Sequence, residues 1–247
     1  MSKGLGKQVE ESQFTVTDHL DELRRRILYC LIAILVATVV AFCFSKGIIK
    51  ILVLPAGGMH LIALDIMDGF LIRWRIALYG GLCLAFPVWA YQLYSFVRPA
   101  LHPHERKNLH PLLFGAIALF CCGTTFGYYL LWGMIRVLKG LFPTDITFIP
   151  AADGYIAFVV FFLLISGIIF LFPIVLIGLV KFGVLTTEIM QRQRKIAYFI
   201  LFVIAEIITP VADPIVAPLT FMIPLVLLYE ASILIGKRSE RKGKSEG

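Results

Sequence analysis

Two carboxylates in separate parts of the chain are placed to read a cationic ligand. Glu105 lies in residues 96–107, Phe-Val-Arg-Pro-Ala-Leu-His-Pro-His-Glu-Arg-Lys, a polar island between two long apolar runs. Arg98, Glu105, Arg106 and Lys107 are the only charged residues between Arg75 and Arg136. Pro99 and Pro103 lack backbone donors and disfavour helix just before them, so the island reads as a shaped loop. Leu101 and Leu109, the i−4 and i+4 neighbours of Glu105, carry no charge, so local helical pairing cannot neutralise it. Glu22 precedes the first apolar run and has Arg26 at i+4, which allows a simple surface helix pair instead of a ligand site. A guanidinium offers a planar donor fork that matches a carboxylate, whereas an ammonium is a point charge. Two such carboxylates would therefore favour a pair of arginines over a pair of lysines.

Glu206 and Glu230 are a second set, both inside apolar runs. Carboxylates within a span are costly and mark functional candidates by default. Glu230 lies near one end of its run, where it can snorkel to the interface; Glu206 sits deeper, where a proton relay is the functional reading. His102, His104 and His110 cluster around the loop with one acid and no cysteine nearby, which reads as solvated loop, not metal site. Cys30, Cys43, Cys83, Cys121 and Cys122 lie in apolar runs without ligand spacing and read as buried structural thiols. The chain has no G-x-x-x-x-G-K-[ST], G-x-S-x-G or H-E-x-x-H. Gly123 and Gly127 form a G-x-x-x-G, a signal for close helix approach within the chain or to a partner span.

The elements that must hold these groups are membrane helices. Of 247 residues, 59% are hydrophobic and 16% charged, and the mean hydropathy is +0.87. Soluble domains carry about 25% charged residues. The reading is an all-α integral membrane protein of one domain. Residues 1–13 read as a flexible tail, and residues 14–26 as an amphipathic interfacial helix opened by the Thr15/Asp18 pair. A six-span core follows over residues 27–236, and residues 237–247 are a basic tail. The apolar runs are 27–44, 76–97, 109–135, 154–180, 196–212 and 217–235. Pro87, Pro173 and Pro224 are expected to kink their helices into a concave, cupped wall. A helix over 196–209 would reach only about 21 Å, short of about 30 Å of hydrocarbon. Arg24-Arg25-Arg26 before an apolar run resembles an export signal, but that run is long enough to span and no small-residue cleavage site follows.

Orientation follows from basic residues. Seventeen Lys and Arg fall on the side of the N-terminal segment, the 96–107 loop and the tail, against six on the other. The richer side is cytoplasmic, which places both termini inside and the loop beside the N-terminal helix. The net charge of +7 is then loop charge and not a nucleic-acid footprint. No internal repeat is visible, which weakens an inverted-repeat transporter.

Several motifs together resemble one family. His19-Leu20-Asp21-Glu22-Leu23-Arg24 is similar to the H-L-x-E-L-R before the first span of TatC, the twin-arginine translocase subunit. Phe96-Val97-Arg98-Pro99-Ala100-Leu101 with Glu105-Arg106 resembles its first cytoplasmic loop, and Leu228-Tyr229-Glu230 a motif of its last span. The resemblance implies a non-enzymatic, cofactor-free, multi-pass protein of the bacterial cytoplasmic membrane that binds twin-arginine signal peptides of folded precursors. It implies an oligomeric complex with TatA/TatB-like single-span partners, driven by the protonmotive force. It assigns signal binding to Glu22 and Glu105, with Arg24, Phe96, Pro99, Leu101 and Arg106 shaping the surface. Two departures stand out. Leu171 occupies the place, two residues before Pro173, where the family often has glutamate or glutamine, and 209–214 is longer than the usual T-P-P-D. Glu206 on span five is expected to supply the missing polar group. The rival readings are an ion-coupled transporter or channel using Glu206 and Glu230, and an intramembrane enzyme, for which no catalytic dyad or metal set is found.

Overall fold

A computed structural model describes residues 16–97, 110–140, 143, 149–181, 183–208 and 216–245. Its helices are α1 (Val16–Cys43), α2 (Ser45–Val53), α3 (Asp68–Leu84), α4 (Phe86–Val97), α5 (His110–Gly140), α6 (Ala152–Ile169), α7 (Phe172–Lys181), α8 (Thr187–Arg192), α9 (Arg194–Ile208) and α10 (Val216–Ser245). Among the described residues there is no β-strand, only one isolated parallel bridge between Ile62 and Ala151. Among the described residues four helical stretches are long and apolar enough to cross a membrane, with a fifth if the bent pair α3–α4 is one span.

The breaks follow the prolines. Pro87, the second residue of α4, cannot donate a helical hydrogen bond, and α3 and α4 meet at 46° around Ala85. The run expected to start at residue 76 begins eight residues earlier, at Asp68, so Arg73 and Arg75 are helical. Pro173 stands in the first turn of α7, and the chain turns at Phe170 and Leu171. Pro224, by contrast, sits inside an unbroken α10. That helix runs on through the basic residues expected as a separate tail. Residues 14–26 and 27–44, read as two elements, are one helix from Val16, and neither glycine nor proline interrupts it. Helix α9 has 15 residues, about 22 Å of rise, in line with the expected short fifth run.

Helix α6 is the centre of the packing. Half of the apolar window in 152–181 is buried, against 6% of the window in α1, which lies along the rim with Leu28, Leu31, Leu35 and Val39 outward. Hydrocarbon can solvate those faces; water cannot. Small residues set the two closest crossings. A Cβ on Gly81 would lie 2.6 Å from the Thr38 Cα, so α1 and α3 touch backbone to backbone. On α5, Cβ atoms on Gly123 and Gly127 would meet Phe170 and Ser166 at 2.6 Å, and Gly167 of α6 in turn faces Thr124 and Phe120. The G-x-x-x-G therefore serves an internal contact. Phe162, Phe221, Leu131 and Leu225 anchor the main core. A satellite cluster joins Phe86, Ala90, Phe120 and Leu164, with Phe86 stacked on Phe120 at 3.9 Å.

Residues 45–67 fold over one end of the bundle. Leu54–Ala56 form a 3-10 turn with Pro55 in the middle, Gly57 closes it at φ 61°, and Gly58 follows at φ 81°. The Tyr128 hydroxyl donates to the Ile51 carbonyl at 2.9 Å and that of Tyr155 to Leu52 at 3.1 Å. Asp68 accepts from the Leu64 and Asp65 amides and so closes the loop onto α3. Arg75 and Asp153 tie α3 to α6 at 3.1 Å.

The cysteine reading needs correction. Cys43, Cys121 and Cys122 are exposed, and Cys30 and Cys83 are partly buried. An apolar run in a membrane chain has a lipid face as well as a core face, and cysteine suits both.

Candidate functional site

Three adjacent arginines in the third turn of α1 take three directions, because successive residues turn by about 100° around a helix. Arg24 is exposed. Arg25 donates to the Tyr29 hydroxyl at 3.1 Å and lies 5.9 Å over its ring. Arg26 turns inward, and its Nε and Nη2 both donate to Oε1 of Glu22. Its remaining nitrogen, Nη1, reaches the carbonyl and the side-chain Oε1 of Gln92 on α4 at 3.5 and 3.4 Å. The Arg26 and Glu22 side chains are only 20% and 25% exposed. The helix pair foreseen for Glu22 has thus formed, but it is wedged between α1 and α4 and not solvated on a free face.

This seat opens into a groove of about 480 Å³ between α1 and α4, lined by Leu23, Ile27, Trp89, Leu93 and Phe96, with Ile168 behind. Trp89 and Leu93 also line a second, almost wholly apolar groove of about 300 Å³ on the other side of α4, with Leu112, Leu171, Ile174 and, at its end, Lys181. Helix α4 is therefore a partition with a groove on either side. Its tilt comes from the Pro87 break, across which Trp89 Nε1 donates to the Leu82 carbonyl at 3.3 Å. Of the loop residues expected at the site, Phe96 lies on the α1–α4 groove; Pro99, Leu101, Glu105 and Arg106 lie outside the described residues.

Gln92 and Trp89 are the site residues that sequence reading missed. Gln92 is the only amide side chain in the 76–97 run, so its signal was present: a hydrogen-bonding group placed where lipid would reject it.

The other carboxylates have different surroundings. Glu230 is held in place: Arg194 Nη2 donates to Oε2 at 2.7 Å and the Tyr198 hydroxyl to Oε1 at 2.6 Å. It ties α9 to α10. Glu206 is exposed on α9 and has no ion pair among the described residues. The α9 helix packs on α10 and α8, while Leu171 belongs with the Phe86 cluster on the α4–α5–α7 side. The structure does not bring Glu206 to Leu171.

Comparison with known proteins gives one family throughout. Residues 18–224 match the family model of the Sec-independent protein translocase protein, TatC. The TatC protein of Aquifex aeolicus is 39% identical over 236 residues, spanning 93% of this chain and 97% of its own. TatCy of Bacillus subtilis is 31% identical over 241 residues, spanning 96% and 94%. A crystal structure of the twin arginine translocase receptor TatC superposes with a TM-score of 0.75 at 38% identity, covering 90% of this chain and 99% of the other. A second, in the detergent DDM, gives 0.76 at 39% identity over 88% and 99%.

Proposed function

This chain belongs to the TatC family of Sec-independent protein translocases, and from that premise we propose that its α1–α4 junction is where a signal peptide docks. The chain is the receptor subunit of the twin-arginine translocation machinery and is not an enzyme. In the proposed reading a folded precursor presents its two arginines to Glu22 and Glu105. Arg24, Phe96, Pro99, Leu101 and Arg106 shape the surface around them. The apolar segment behind the arginines then lies in the groove along α4.

One observation carries this reading: the Glu22 carboxylate already holds a guanidinium, in a partly buried seat at the mouth of an apolar groove. A planar, charge-assisted pairing of this kind is what an incoming guanidinium would also need. The 46° bend that tilts α4 supports the expected cupped wall. The wider arrangement follows the same reading. Six spans, counting the short α9, lie in the bacterial cytoplasmic membrane as one domain, with both termini and the 96–107 loop cytoplasmic. TatA/TatB-like single-span partners pack along its lipid-facing helices in an oligomeric complex, and the protonmotive force drives transport. An ion path through Glu206 and Glu230 finds less support, since Arg194 and Tyr198 engage both oxygens of Glu230.

The test is site-directed cross-linking to a signal peptide. Glu22→Ala combined with Glu105→Ala is expected to abolish cross-linking while the chain remains in the membrane. Undiminished cross-linking, or equal recovery of Arg-Arg and Lys-Lys peptides in a pull-down, would remove the docking model.

A further inference from the structure

The same contact that supports docking also obstructs it. Glu22 is not an open carboxylate waiting for a ligand, because Arg26 covers Oε1 with two donors. An incoming arginine that takes this oxygen must first dislodge a resident one. The geometry provides for that exchange. Arg26 spans two acceptor groups, Glu22 below it on α1 and Gln92 across from it on α4. When Glu22 changes partner, the Gln92 carbonyl and amide oxygen remain as acceptors for the displaced guanidinium. Its neighbours cannot do the same, because Arg24 points outward and Arg25 lies over Tyr29.

Resting on the docking reading above, we infer that Arg26 is a built-in competitor for the signal arginine, an affinity-setting residue that occupies Oε1 of Glu22 in the unliganded receptor. The physical consequence is a threshold. Displacing Arg26 costs every ligand the same free energy, so closure weakens all peptides by one factor and leaves their ranking unchanged. Ligands with two donors in a plane can replace what is lost at Oε1; a lysine, with a point charge, replaces less. The weak ligands then fall below useful occupancy while true signals stay above it. This role differs from simply orienting Glu22. An orienting residue strengthens binding, and its removal would harm arginine recognition more than lysine recognition.

The experiment uses the full chain in nanodiscs and fluorescent peptides bearing Arg-Arg or Lys-Lys, with binding read by anisotropy. Arg26→Gln is expected to tighten both peptides by the same factor, about 2- to 5-fold, the range for a partly exposed ion pair. Arg26→Lys is expected to tighten them by less. In a Glu22→Gln background, Arg26→Gln should change nothing, because there is no carboxylate left to contest. Size-exclusion elution checks that each variant is folded, and Arg26→Lys carries the comparison if Arg26→Gln is not. If Glu22→Gln weakens binding but neither Arg26 variant tightens it, the competitor role is wrong and docking stands. If wild type and Glu22→Gln bind the Arg-Arg peptide equally, the docking reading falls and the competitor role falls with it.

Discussion

Adding one methyl group to Gly123 should separate two central helices. An ideal Cβ there lies 2.6 Å from the Phe170 Cβ, 2.7 Å from its Cγ and 2.7 Å from the Ser166 carbonyl oxygen. A Cβ and a carbonyl cannot rotate aside, so α5 and α6 must part, by about 1 Å if ordinary van der Waals spacing is to return. Overpacking of this kind costs about 1–3 kcal/mol. The alanine also gains about 0.5–1 kcal/mol of helix propensity over glycine, which masks part of the loss. Gly133 on the same helix removes that ambiguity, because a Cβ there meets nothing within 4 Å. Gly133→Ala has the propensity gain without the clash. The difference between the two variants isolates the contact: about 1–3 kcal/mol, or about 2–12 °C at 2–4 °C per kcal/mol for a chain of this length. Heating the detergent-solubilised variants and measuring surviving monodisperse protein by fluorescence-detected size exclusion gives the two midpoints. A second arm sharpens the test. At Gly127 the clash is with the Ser166 side chain, Oγ at 2.6 Å and Cβ at 2.8 Å. Ser166→Gly should therefore rescue Gly127→Ala but not Gly123→Ala, whose conflicts are with Phe170 and a backbone oxygen. If Gly123→Ala and Gly133→Ala melt together, the close α5–α6 crossing is refuted.

Tyr155→Phe removes the buried hydroxyl that holds the Leu52 carbonyl, and is expected to lower stability by about 1–3 kcal/mol and to speed proteolysis within residues 54–67; unchanged cleavage would show that the cap is held by packing alone. The Glu230–Arg194 pair is 31% and 45% exposed, so a Glu230→Gln/Arg194→Gln double-mutant cycle should give a coupling of at most about 1 kcal/mol in melting experiments. A coupling above about 3 kcal/mol would mean that the pair is sealed from water.

Most of the helical framework was legible in the sequence, because each run must satisfy its own backbone in hydrocarbon and apolar length reports that directly. The breaks near Pro87 and Pro173 were legible for the same local reason: a missing donor. So was the shortness of α9. The family was legible in the H-L-x-E-L-R segment, in the 96–101 and 105–106 residues, and in Leu228-Tyr229-Glu230. Other features were not. Nothing local says that α10 continues unbroken through Pro224, because neighbouring helices decide whether a lost bond ends a helix. The cysteines misled because an apolar position can face lipid or protein, and only packing distinguishes the two. The i+4 spacing of Glu22 and Arg26 showed that they can meet, and any exposed helix with that spacing would say the same. Tertiary structure decided what the meeting means. The tilt of α4 brings Gln92, 66 residues from Arg26 along the chain, against its guanidinium and withdraws the pair from solvent. Burial and a third partner depend on where a distant helix lies, and that distance is what no local pattern encodes.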